Sequence, residues 1–112
     1  MKSLALLLGL LAAASATAAV ETYKIDPVHS SVGFSIRHFV SKVPGSFTRF
    51  SGTIAVDRSQ LEQSSVAAVI EVGSIRTAND NRDKHLKSPD FFDAGKFATM
   101  SFKSTAWKQT GT

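Results

Sequence analysis

The chain has 112 residues, room for one domain with a modest core. It contains no cysteine, which excludes disulfides, thiolate metal sites, iron–sulfur clusters and cysteine nucleophiles. Thirteen Lys and Arg against nine Asp and Glu give a net charge of +4, but the charges are interspersed. Nucleic-acid binding needs a concentrated basic patch, so no nucleic-acid partner is expected and the mild basicity reads as a solubility feature.

Met1-Lys2-Ser3 is a short basic start, followed by the apolar run "LALLLGLLAAA" and small residues at Ala16-Thr17-Ala18. That order predicts a secretory signal peptide over residues 1–18, cleaved after Ala18 with one residue later as the alternative, and a domain over residues 19–112. The run is too short to span a bilayer and no second one follows, so no transmembrane anchor is expected. Loss of Lys2 leaves twelve basic and nine acidic residues, a net charge of +3.

From "TYKID" onward apolar and polar residues alternate with period two, the mark of half-buried strands. Asp26-Pro27 ends the first strand, because proline lacks a ladder donor. In "SSVGFSIRH", Val32, Phe34, Ile36 and His38 share a face, and Lys42-Val43-Pro44-Gly45 then reads as a turn. "RFSGTIAVD" aligns Phe50, Gly52, Ile54 and Val56. After the turn signal "DRSQLEQS", "SVAAVIEVG" aligns Val66, Ala68, Ile70 and Val72.

The alternation breaks at "RTANDNRDKHLKSPDFFD", Arg76 to Asp93. Asn79 or Asp80 can cap a short helix whose early aspartates and late lysines suit its dipole. Ser88-Pro89 resembles a second helix start, with Ser88 as cap. A short helical loop near residues 79–93 is therefore expected, packing Phe91 and Phe92 against the end of a β-structure. The last strand, "TMSFKSTAW", aligns Met100, Phe102 and Ala106 and is expected to run to about Lys108. The class is mainly β and antiparallel. Closing a barrel around a ligand takes about eight strands, more than these segments supply. The sequence therefore reads as the N-terminal strands of a barrel, which continues in a longer domain or closes against a partner such as a second copy in a homodimer.

At this point the chain resembles the polyisoprenoid-binding YceI-like family. The likeness runs from Tyr23 to Ser104, through "YKIDPVHSSVGFSIRH", "VPGSFTRFSGTI" and "SIRTANDNRDKHLKSPDFFDAGKFATMSFKST". Its most specific part is Arg82-Asp83-x-His85-Leu86 followed by Phe91-Phe92-Asp93. Ala98 stands where the family commonly has proline, and family members continue for several more strands. The resemblance implies an antiparallel lipocalin-like barrel in the periplasm or outside the cell. Its interior would hold an isoprenoid or related long-chain lipid, with no cofactor and no enzymatic activity. Barrel interiors are lined by every second strand residue. The expected lining is thus Val32, Phe34, Ile36, His38, Phe50, Ile54, Ile70, Met100 and Phe102.

His38 is either a headgroup contact at the mouth of the interior or a histidine bonded to nearby backbone. Arg82, Asp83 and His85, with Phe91 and Phe92, are expected to close one end of the barrel, with headgroup contact as the alternative. His29, His38 and His85 match no metal-ligand spacing. Asp26, His29 and Ser30 lack the G-x-S-x-G elbow of a hydrolase and read as turn chemistry. A β-sheet interaction module without a small ligand is the alternative function, and a lipid-modifying enzyme finds no catalytic constellation.

Overall fold

The computed structural model describes residues 19–111, so the expected signal peptide lies outside the described residues. Seven strands follow in order: β1 (Glu21–Lys24), β2 (Val32–His38), β3 (Ser41–Phe47), β4 (Phe50–Val56), β5 (Ser65–Glu71), β6 (Ile75–Arg76) and β7 (Thr99–Lys103). The helix α1 (Asp80–Lys87) lies between β6 and β7. All strand pairs are antiparallel, in one sheet of order β1-β4-β5-β7 and a second of order β2-β3-β6. The class is mainly β, as the period-two pattern requires. Burial keeps that period in β5, where Val66, Ala68 and Ile70 are half-buried between exposed neighbours.

Three expectations are corrected. Lys42-Val43-Pro44-Gly45 is not a turn but the middle of β3, which pairs with β2 along its whole length. Proline is tolerated there because β6 pairs only with Ser46 and Phe47, leaving β3 a single neighbour at Pro44. Gly45 lies directly opposite Phe34, and a Cβ at Gly45 would fall 2.1 Å from the tip of that ring. The glycine leaves the space that the aromatic ring fills. Ser88 caps the C-terminus of α1 instead of starting a second helix, its N–H and hydroxyl both donating to the His85 carbonyl (3.0 and 2.6 Å). Pro89 follows that cap, where proline cannot continue a helix. The last strand ends at Lys103, well short of Lys108.

The chain passes between the two sheets four times, and two of these crossings, Thr48–Arg49 between β3 and β4 and Val72–Ser74 between β5 and β6, are bonded to each other. Ser74, 1% exposed, ties the two crossings together. Its hydroxyl donates to the Glu71 carbonyl (2.7 Å) and accepts from the Arg49 N–H (3.0 Å), and its carbonyl accepts from the Thr48 N–H (3.1 Å). The buried apolar residues Phe47, Val72 and Ile75 gather around this junction. Arg49 and Glu71 add an ion pair on its exposed side.

Inside the larger sheet the backbones approach closely at Gly52. A Cβ there would lie 2.6 Å from the Ala67 carbonyl oxygen and 2.7 Å from Ile25 Cδ1. Gly52→Ala is expected to cost about 1–3 kcal/mol, the usual penalty of overpacking. The urea midpoint checks this, and an unchanged midpoint would show that β4 and β5 separate freely.

Candidate functional site

Alternation along β2 and β3 turns Phe34, Ile36, His38 and Val43 toward the segment that follows β6. That segment is shaped by its own hydrogen bonds. Asn79 Oδ1 accepts from the Arg82 N–H (2.9 Å) and starts α1. Within the helix, Arg82, His85 and Leu86 stand at i, i+3 and i+4 and so share one face. Asp83 turns to another side, 4% exposed, and accepts from the Thr77 N–H (2.8 Å) and hydroxyl (2.5 Å). The Arg82 guanidinium donates to the Thr77 hydroxyl (2.8 Å) and carbonyl (2.5 Å). Thr77 is itself 5% exposed, so the cluster locks the start of α1 to the end of β6.

The result is a cavity of about 600 Å³ between β2–β3 and the helical segment. Its apolar wall is Phe34, Ile36, Val43, Leu86, Phe91 and Phe92. His38, Thr77, Arg82 and His85 supply the polar lining, with no carboxylate among the lining residues. Beneath it a row of rings joins the two sides: Phe34 to Phe47 at 5.6 Å and Phe47 to Phe92 at 6.0 Å between centroids. The mouth is open, with Ile36 54% and Phe91 59% exposed. His85 stands edge-on to Phe91 at 4.9 Å and bonds Asp90 through Nε2 (2.9 Å), steadying the rim.

The structure brings together Phe34, Ile36, His38, Arg82, His85, Phe91 and Phe92 from the expected residues. It does not bring the others to this cavity. Val32 lies at the far end of β2, opposite Phe47. Phe50, Ile70 and Met100 form one cross-strand row of the other sheet, Ile54 lies opposite Tyr23 and Val66, and Phe102, opposite Ala68, is 58% exposed. Asp83 supports the wall from behind. Val43, Thr77 and Leu86 were missed. The helical spacing from Arg82 signals Leu86, whereas the supposed turn hid Val43.

Elsewhere, His29 Nδ1 lies 2.6 Å from Asp26 Oδ2, and Asp26 Oδ1 accepts from the Val28 N–H (2.9 Å). These bonds, His29 first, hold the Asp26 carboxyl below its ordinary range. This is turn chemistry in an exposed loop. Among the described residues no group of three or more His, Asp or Glu is placed to hold a metal ion. No helix among them is long and apolar enough to cross a membrane.

Antiparallel sheets curving past an apolar cavity, with a helical segment closing one end, define a protein of the lipocalin-like barrel class. The described strands form two sheets of it that do not close. The chain belongs to the YceI-like domain family, whose family model matches residues 23–112. A UPF0312 protein of Vibrio vulnificus is 38% identical over 101 residues, covering 88% of this chain and 53% of the relative. A UPF0312 protein of Staphylococcus aureus is 41% identical over 83 residues, 73% of this chain and 48% of the relative. The chain thus spans about half the length of the curated relatives it matches. Among solved structures, BcnA of Burkholderia cenocepacia superposes with a TM-score of 0.73 at 25% identity, over 79% of this chain and 55% of that one. The YCEI protein of Campylobacter jejuni gives 0.59 at 35% identity, over 79% and 52%.

Proposed function

We propose that this chain is part of an exported, non-enzymatic binding protein that holds a polyisoprenoid or similar long-chain amphiphilic lipid. The apolar cavity between β2–β3 and the helical segment carries the reading. Its volume lies within the range of about 300–1,000 Å³ typical of small-molecule sites. Burial of apolar surface at about 25 cal/mol per Å² supplies affinity for a hydrocarbon chain without any covalent chemistry. Of the polar lining, the Arg82 guanidinium and the His38 imidazole can donate to the oxygens of a headgroup, whereas the Thr77 hydroxyl already donates to Asp83 and His85 Nε2 bonds Asp90. The expected signal peptide supports export to the periplasm or the medium.

Organic extraction of the purified, folded full chain followed by mass spectrometry tests this reading. A stoichiometric prenyl or other long-chain lipid is expected. A clean extract would favour the rival, a β-sheet interaction module without a small ligand. N-terminal sequencing of the exported product is expected to start at Ala19.

A further inference from the structure

The β2–β3 hairpin ends in a two-residue tip, Phe39-Val40, between the paired His38 and Ser41. Tips of this kind favour glycine, asparagine or aspartate, because the turn calls for left-handed backbone. Here Phe39 takes φ 54° and is 86% exposed, and Val40 is fully exposed. The His38 ring stands edge-on to Phe39 at 4.6 Å. Such a tip displays apolar bulk to the surroundings at a backbone position that disfavours it.

The flanking charges point to a partner. Arg37 and Lys42 lie directly opposite each other across the hairpin, a like-charge pair that destabilises an isolated sheet. Both are exposed, and neither belongs to an ion pair among the described residues. Between Asp26 and Asp57 the chain contains no acidic residue at all. Ile36, His38 and Val43 next to the tip line the cavity, so Arg37 and Lys42 occupy the opposite face. An apolar point backed by two cations without local counter-charge complements an anionic lipid surface.

We propose that the Phe39-Val40 tip docks the protein on the surface of a bilayer containing anionic lipid. Phe39 and Val40 enter the headgroup–acyl boundary while Arg37 and Lys42 meet the phosphates. The mouth of the cavity then lies against the membrane, where a long-chain lipid enters or leaves. Docking rests on the lipid-binding reading for its purpose, but its test does not depend on that reading.

The purified full chain is sedimented with vesicles of phosphatidylethanolamine and phosphatidylglycerol, and separately of phosphatidylcholine. Binding to the anionic vesicles is expected, weak on phosphatidylcholine and reduced by salt. Phe39→Ser with Val40→Ser is expected to weaken it by about tenfold or more, through loss of the inserted apolar groups. Arg37→Gln with Lys42→Gln is expected to weaken it severalfold and to remove most of the salt dependence. Both double variants are expected to unfold at or somewhat above the wild-type urea midpoint, since each removes a feature that disfavours the hairpin. Wild-type binding by the Phe39/Val40 variant, or no binding by the wild type, overturns the proposal. So does a drop in that variant's urea midpoint, which would place the tip inside the fold. A dimer in light scattering that the same variant converts to monomer, without vesicle binding, would make the tip a contact between copies. Protein that carries extractable lipid but ignores vesicles sinks docking alone. Lipid-free protein that docks sinks only the lipid-binding reading.

Discussion

Phe34→Arg is expected to strip the protein of extractable lipid. Phe34 stands at the centre of the cavity wall, over the bare backbone of Gly45 and 5.6 Å from the Phe47 ring. Truncating a fully buried phenylalanine costs about 3–5 kcal/mol, and Phe34 is only half-buried, so a loss of about 2 kcal/mol is expected. The arginine head can reach water through the open mouth, which limits the damage to folding. It still puts a hydrated charge where an apolar chain would lie, so lipid content is expected to fall far more than stability. Ser35→Arg, on the exposed face opposite, is expected to change neither. The measurements are lipid per protein by mass spectrometry and the urea midpoint. Equal lipid retention by the two variants would show that the cavity wall is not the binding surface.

Asp83→Ala acts behind the wall. Its carboxylate is the acceptor for both the N–H and the hydroxyl of Thr77, and both residues are buried. Removing it orphans donors that water cannot reach, for an expected loss of about 2–3 kcal/mol. Asp83→Asn keeps an acceptor oxygen and is expected to recover part of that loss. Lipid content is expected to fall only in step with the folded fraction. A fully stable Asp83→Ala variant without lipid would move Asp83 from support of the wall to recognition of the ligand.

The local signals in the sequence were strong where one physical cause acted alone. Period-two alternation marked β2, β4, β5 and β7, because each strand offers one face to apolar surroundings. Asn79 marked the start of α1 because a side-chain acceptor beside free N–H groups is a local device. The mixed charges of Arg82, Asp83 and His85 pointed to a closing segment, but not to Thr77, which Arg82 and Asp83 both bond instead of each other.

Pro44-Gly45 misled because its meaning depends on neighbours distant in sequence. Proline is allowed where β6 stops short, and glycine is required where the Phe34 ring lies. The same holds for the cavity. Alternation determined that Phe34, Ile36 and His38 share a face, and equally that Phe50, Ile54, Ile70, Met100 and Phe102 hold apolar positions. It could not determine which faces meet. That was decided by the crossings between sheets, two of which, at Thr48–Arg49 and Val72–Ser74, a buried serine holds side by side. The first set lies with the helical segment around one cavity, whereas the second forms rows on the other sheet. Periodicity is a property of the strand and belongs to the sequence. Opposition of faces is a property of how strands cross, and only the tertiary structure supplies it.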